Sequence, residues 1–584
     1  MDDQALARPA LRTRVALAQN RVLNRLYARL GGLARPVTAL ITQPEPKTIG
    51  SLVRGRQLIE GRFMFAGQLV RAPDASIWQL DSPDAGFETQ IQGFVWLDDL
   101  AAVGDRSARE LAQGWLIEWI DLYGRGKGPG WLPELAGRRM IRWINHALFL
   151  IKDMDRDQTD RFYRNLARQA RFLAKRWRSA PMGLPRFEAL CGLLYAGLAL
   201  EGQQKVVTST ARRLAQECAR RIDQSGAIPS RNPEELMEIF SLLTWAASAL
   251  GEGGHMPGAA HMQAIMRIAP CLRALQHADG SLARFHGGGR GVAGRLDQAL
   301  ALSGIRAGPR SGLAMGFARL SAGRSSIIVD ADIPPRGDDA LTAHASTLAF
   351  ELTSGRRPII VNCGSGVEFG TAWRRAARAT PSHSTLAVDR YSSSRFARAH
   401  AGVIHERLVD GPDQVRVQQY SGHEGSAFMA SHNGYAKTHG LHHMRRLDLS
   451  LDGRELRGRD TLGALSEKDR IRFEELQKRE GGDGIRFDIR FHIHPDIEAE
   501  IGLGGTAVSL ALKSGEVWVF RHHSDASVAL DASVYLERGR LEIRATKQIV
   551  LSDIVLDYSS QVSWSLTRAQ DGNKHIRDVE PDDN

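Results

Sequence analysis

Residues 341–366 read LTAHASTLAFELTSGRRPIIVNCGSG, and residues 380–389 read TPSHSTLAVD. Between the glycines and prolines, apolar and β-branched residues run in short alternating segments, which is the period of a strand. Two histidines, His344 and His383, stand beside these segments. Strands can hold an imidazole rigidly at the edge of a cleft. The stretch therefore predicts a β domain that presents a pair of histidines.

Downstream the same period continues. IRFDIRFHIHP, TAVSLALKSGEVWVFRHH and LEIRATKQIVLSDIVLDYS alternate or carry β-branched runs, with Gly, Asp and Ser between them. From about Ser311 onward the chain predicts a large antiparallel β region, most simply a sandwich. Upstream the period changes to that of helices. Between Phe94 and Leu275, segments such as SARELAQGWLIEWIDLY and RFYRNLARQARFLAKRW repeat apolar residues at helical spacing. Helices of similar length in series fit a bundle, a solenoid or an α/α toroid. Asn232 before Pro233 reads as a helix start, because asparagine caps and proline fits the first turn. The glycine-rich run from Arg284 to Gly291 lacks the phosphate-loop pattern and reads as a loop at the domain junction.

With 584 residues the chain exceeds what one core serves, so at least two domains are expected. The formal charge of +11 suits polyanions: nucleic acid, acidic lipid or acidic polysaccharide. Cys191, Cys218, Cys271 and Cys363 show no C-x-x-C spacing, which argues against a zinc ribbon or a disulfide framework. Arginines interrupt every apolar run near the N-terminus, so neither a signal peptide nor a transmembrane helix is expected. Residues 11–30 can form a basic amphipathic helix with Leu11, Val15, Ala18, Val22, Leu26 and Leu30 on one side. It would pack on the chain's own body or make a peripheral membrane contact.

The wider motif order resembles that of heparinase II/III-like polysaccharide lyases. That family shows H-x-H-A-D before a phenylalanine-containing strand, then V-D-x-G, then H-N/S-T. Here Thr342 stands at the first histidine, Ser346 at the aspartate and Asn362 at the second aspartate. The helical segments GFVWLDDLAAVG (93–104), WLPELAGRRMIRWINHALFL (131–150) and SRNPEELMEIFSLL (230–243) are similar to the family's toroid. HADGSLARFHGGG (277–289) looks like its connecting segment, and HNGYAKTHGLHHMRRLDL (432–449), GRDTL (458–462) and RFHIHP (490–495) like its sandwich. The resemblance covers roughly residues 50–560. It implies an α + β multidomain chain: a basic helical extension (1–50), an α/α toroid (51–305), an antiparallel β-sandwich (306–570) and a polar tail (571–584).

The resemblance further implies cleavage of a uronic-acid-containing polysaccharide by β-elimination, in a cleft between the two domains. That reaction needs a group to neutralise the uronate carboxylate, a base for the C5 proton and an acid for the leaving oxygen. Asn232 is the expected neutraliser, at a helix N-terminus that favours anions, with Arg231 beside it as a clamp. His344, Asn362 and His383 stand where metal-containing relatives hold a divalent ion, zinc or calcium. Alternatively His344 acts on substrate directly, or the pair is structural. The chain has no tyrosine between Tyr195 and Tyr391, where the family keeps its catalytic one. His286, with a pKa near neutrality, and Tyr435 are the candidate replacements. Arg284, Arg290 and His146 complete the expected substrate contacts. Trp96, Trp115, Trp119, Trp131 and Trp143 read as core at their helical spacing. The implied partner is acidic polysaccharide and not nucleic acid. A rival reading is a degenerate lyase-like protein that binds acidic glycan, for instance during surface-polysaccharide production. Relatives are commonly exported, whereas unpaired cysteines suit a reducing compartment.

Overall fold

The computed structural model describes residues 18–389, 391–397, 406–423, 425–479 and 481–570. Leu11, Val15 and the 571–584 tail lie outside the described residues. The chain forms two compact units. One takes residues up to 226, 235–269 and 294–306; the other takes 227–234, 270–293 and 307 onward. The expected helix-to-strand boundary near residue 306 thus has two additions: segments 227–234 and 270–293 join the second unit.

The first unit is helical. Asp105 caps Arg106–Leu122, and Asp155 opens Arg156–Arg176 with a capping box closed by Gln158. Pro133–Asn145 lies against Leu184–Ala199 at a glycine contact: a Cβ on Gly192 would come within 2.4 Å of Gly137 Cα. Only two glycines allow the helix axes to come so close. Phe94, Trp96, Trp119 and Trp143 are fully buried and meet mostly edge to face. The buried Arg139 guanidinium sits 4.1 Å from the Trp119 ring centroid, and burial pulls its pKa down to about 9. The tryptophans therefore build core, as their spacing predicts.

Residues 18–30 are helical. Arg176 Nε donates to Asn24 Oδ1 at 2.7 Å and Arg171 Nη1 to the Leu33 carbonyl at 2.6 Å, which fastens this segment to the helical unit. Among the described residues no helix is long and apolar enough to cross a membrane.

The second unit contains two eight-stranded antiparallel sheets. One runs, neighbour by neighbour, through Val415–Gly422, Gly425–Tyr435, Leu441–Ser450, Glu455–Gly463, Ser559–Gln570, Val517–His522, Ala507–Leu512 and Ile497–Gly502. The other runs through Ser527–Tyr535, Arg544–Val555, Ile485–Ile493, Arg357–Val361, Phe350–Ser354, Ser325–Asp330 and Phe317–Ala322, with Leu386–Val388 added beside Ile485–Ile493. Leu441–Ser450 alternates buried and outward residues, as a strand with one wet face does. Phe350–Ser354 is buried throughout. Side chains from both sheets share one core, in which Phe350 stacks on Trp564 and Trp564 meets Phe491 edge-on at 4.7 Å.

His344 differs from expectation. It lies in an irregular segment between the 3₁₀ turn Gly337–Leu341 and the strand Phe350–Ser354. The segment is fixed by Arg378, whose Nε donates to the Ala343 carbonyl (2.7 Å) and whose Nη2 donates to the Ala340 carbonyl (2.8 Å). Leu348 takes a left-handed φ of 64° on the way into the strand.

Candidate functional site

Asp330 ends the strand Ser325–Asp330 and is fully buried. Its Oδ1 accepts from Arg231 Nη2 at 2.6 Å and its Oδ2 from Ser346 Oγ at 2.6 Å. His286 Nε2 stands 3.4 Å from Oδ2. Burial pushes the Asp330 carboxyl up, but Arg231, His286 and Ser346 together outweigh it and hold the group below the usual carboxylate range. A buried carboxylate needs such partners.

The histidines continue from this anchor. The His344 backbone N–H donates to His286 Nδ1 at 3.2 Å, so His286 carries its proton on Nε2, facing Asp330. His383 Nδ1 lies 2.8 Å from the Ala379 carbonyl, which can only accept. His383 Nε2 is then the unprotonated nitrogen, and it accepts from His344 Nδ1 at 3.0 Å. This order leaves His344 Nε2 unprotonated and with no hydrogen bond to any described residue. Burial lowers all three histidines: His344 well below its ordinary value, His383 to about 4, and His286 despite the pull of Asp330. All three are neutral at pH 7.

The backbone here is unusual. Arg231 (φ 50°), His286 (φ 48°) and Met315 (φ 51°) all adopt left-handed conformations. Such conformations cost free energy in residues with a Cβ and cluster where a structure is over-determined. Met315 is also a partner: its carbonyl accepts from Arg231 Nε at 3.1 Å.

Several expectations need correction. Arg231 cannot clamp a substrate carboxylate as placed. It is 7% exposed, and its guanidinium is spent on Asp330 and on the carbonyls of Met315, Gly316 and Ile333. His286 is fully buried, and burial moves its pKa away from neutrality. Tyr435 reaches no solvent: it belongs to the sandwich core, its hydroxyl donates to the Leu386 carbonyl, and burial pushes its pKa well above the ordinary phenol range.

The other expected residues are placed as follows. Asn232 Oδ1 accepts from the Glu234 N–H at 3.0 Å, the capping role its position suggests. A Cβ on Gly288 would come within 2.5 Å of that oxygen, so the glycine loop lies directly against Asn232. Arg284 donates its backbone N–H to Glu351 and stacks its guanidinium 4.7 Å over Tyr535. Arg290 is half exposed and 3.6 Å from Glu537. His146, in the helical unit, is buried with Nε2 3.0 Å from Asp98, which Arg142 also binds.

The implied divalent ion does not fit the residues present. His344 and His383 point ring nitrogens at each other across a hydrogen bond. Asn362 Oδ1 is taken by the Ser384 N–H at 3.0 Å. Among the described residues no three His, Cys, Asp or Glu side chains are grouped to hold a metal. Neutral Asn362 also withholds the charge that a hard or borderline cation needs.

Asp330 is the member of this network that the sequence hid. It closes an apolar run, SSIIVD, and reads there as an ordinary strand end. Its partner Arg231 lies 99 positions away. No local pattern carries such a pairing.

Residues 305–565 match the family described as heparinase II/III-like, C-terminal. FtsZ-localized protein C of Caulobacter vibrioides (strain NA1000 / CB15N) is 29% identical over 92% of this chain and 92% of its own length. The crystal structure of heparinase III superposes with a TM-score of 0.66 at 12% identity, over 91% of this chain and 87% of that one. A mutant heparan sulfate lyase from Pedobacter heparinus gives 0.58 at 14% identity, over 95% and 89%. The fold is that of these lyases.

Proposed function

We propose that this chain, whose residues 305–565 belong to the heparinase II/III-like family, binds an acidic polysaccharide without cleaving it. The observation that carries the reading is the 3.0 Å bond between His344 Nδ1 and His383 Nε2, which ties the two imidazoles to each other. β-Elimination also asks for a charge neutraliser and for an acid. Asn232 Oδ1 caps its own helix, Arg231 is spent on Asp330, the Tyr435 hydroxyl is in the core, and the three histidines are neutral at pH 7. The net charge of +11 supports attraction to a polyanion.

A second reading, elimination with His344 as the base, is favoured by one observation: His344 Nε2 is unprotonated and has no protein partner among the described residues. One experiment separates them. The protein is incubated with a panel of uronate polymers, and retention in affinity electrophoresis is measured beside ultraviolet absorbance of the unsaturated product. Retention without absorbance is expected. Rising absorbance that disappears in His344→Ala would establish the lyase instead.

The relative's name joins that protein to FtsZ, and we extend to this chain localisation with FtsZ. The helix over residues 18–30 supports a further contact, with an anionic membrane surface. Val22, Leu26, Leu30 and Leu33 are exposed along one side, and exposed Arg21, Arg25 and Arg29 run beside them. Flotation with phosphatidylglycerol vesicles should carry the protein upward, and Leu26→Glu should prevent it.

A further inference from the structure

Apart from the His344 network, the second unit holds a pocket of about 340 Å³, within the range of small-molecule sites. Its floor is formed by the buried prolines Pro334, Pro335 and Pro412. Ser394 lines it as well; this residue is 2% exposed, and its Oγ has no hydrogen-bond partner. A buried hydroxyl left unpaired costs free energy, so an orphan at a pocket wall points to a missing polar partner. Gly411 keeps the wall thin there: a Cβ on it would come within 2.5 Å of Ser394 Oγ.

The rim carries Arg336, Lys437, Asp410 and Asp413. Asp413 accepts from Asn433 Nδ2 at 2.5 Å and lies 3.8 Å from Lys437. Asp410 stands 3.5 Å from Arg395. Arg336 is exposed, no hydrogen bond or ion pair to a described residue within 4 Å engages its guanidinium, and, after the Asn433 hydrogen bond, its charge helps hold the Asp413 carboxyl below its ordinary range. The pocket therefore offers one unspent fork for a carboxylate. It also offers two carboxylates that can accept from hydroxyls, and an apolar surface from three prolines. With Arg395 beside Asp410, three cations face two anions here, a surplus of one that suits a single carboxylate and not a second negative group.

We infer that this pocket is a second saccharide site, which takes a single unsulfated uronate ring with its carboxylate on Arg336. The choice of ligand rests on the glycan-binding reading above. Pro334, Pro335 and Pro412 pack against the C–H face of the ring, the Asp410 and Asp413 carboxylates accept from ring hydroxyls, and Ser394 Oγ gains its partner.

The test uses the full chain, titrated with glucuronate, glucose, sulfated glucuronate and an N-acetylated amino acid by calorimetry or ligand-observed NMR. Glucuronate should bind, with glucose and sulfated glucuronate each weaker by about tenfold or more. Arg336→Ala should weaken glucuronate by a similar factor, and Gly411→Val should abolish binding by filling the wall at Ser394. The inference is overturned if glucuronate fails to bind, if Arg336→Ala leaves binding unchanged, or if glucose or the amino acid binds as well. His344→Ala keeps the two readings apart. Loss of polymer retention with glucuronate binding intact supports both, whereas wild-type protein that binds glucuronate but no polymer sinks only the first.

Discussion

The second unit contains two buried networks built from the same parts, and they end differently. In one, Arg445 binds both oxygens of Asp460, at 2.7 and 3.2 Å, and Trp564 Nε1 adds a third donor at 3.0 Å. His443 Nε2 donates to Asp460 Oδ1 at 2.7 Å, His432 Nε2 donates to His443 Nδ1 at 3.2 Å, and His432 Nδ1 accepts the Gly434 N–H at 3.0 Å. Every ring nitrogen is used, and Arg445 Nη1 goes on to the carbonyls of Leu348 and Ser384. In the other, Arg231, Asp330, His286, His344 and His383 form a comparable series, but His344 Nε2 is left over and His286 Nε2, 3.4 Å from Asp330, makes no hydrogen bond to a described residue. The first network sits mainly on paired strands; the second is spread over loops and left-handed residues. A closed set of bonds is what a core needs. A set with ring nitrogens left unpaired and held in strained backbone has room for a further polar partner, which would have to reach His344 through its 3% exposed surface.

The sharpest way to break this comparison is to remove the guanidinium of the closed network. Arg445→Ala would leave Asp460 charged and buried, and two carbonyls unpaired. A loss of ~3–5 kcal/mol is expected from breaking such a pair, read as a shift of the urea midpoint. A shift below about 1 kcal/mol would mean the closed network is not structural. Asp330→Asn, in the open network, should cost less, roughly 2–3 kcal/mol, because Arg231 keeps three carbonyl partners and the amide oxygen can still accept from Ser346. If Asp330→Asn proves the more damaging of the two, the open network is the real keystone and the contrast fails.

Much of the fold was legible because it is written in local periods. The alternation in Leu441–Ser450 and the helical spacing in Arg106–Leu122 survive intact. The departures from the motif were legible too, at Thr342, Ser346 and Asn362. The internal wiring was not. His286 meets His344 across 58 positions and Arg231 meets Asp330 across 99. Neither the left-handed φ of His286 nor that of Arg231 has a glycine or asparagine to announce it. Tyr435 misled for a related reason: it reads as a candidate for the cleft, but the bulged strand Gly425–Tyr435 folds its last ring into the core.

Acid should probe both networks together. Burial lowers His344, His383, His432 and His443, so the folded chain keeps them neutral while unfolded histidines take protons near pH 6.5. The unfolded state then binds more protons, and stability falls as the pH drops below about 6.5, for His383 down to about 4. Each such histidine adds a slope of up to about 1.4 kcal/mol per pH unit. Asp330 and Asp460 are depressed carboxylates, whose contribution is whole above about pH 4 and fades below it. Urea midpoints at pH 7.5 and pH 5 should differ clearly in the wild type. The difference should shrink in His432→Gln, and an unchanged difference would remove that histidine from the account.

The smallest stability effect should fall at the leftover nitrogen, and there the functional effect should be largest. His344→Gln replaces one neutral hydrogen bond to His383 and retains the backbone N–H to His286, so about 1 kcal/mol or less is expected. His443→Gln removes a bond to a buried carboxylate and should cost more, about 1.5–3 kcal/mol. Polymer retention should follow the opposite order: lost in His344→Gln, and kept in His443→Gln once measured at a temperature where both are folded. That crossing of the two measurements is the signature of one network built for packing and one built for contact. If retention instead tracks stability in both variants, His344 is a second structural histidine, and the surface that holds the polymer lies elsewhere on the chain.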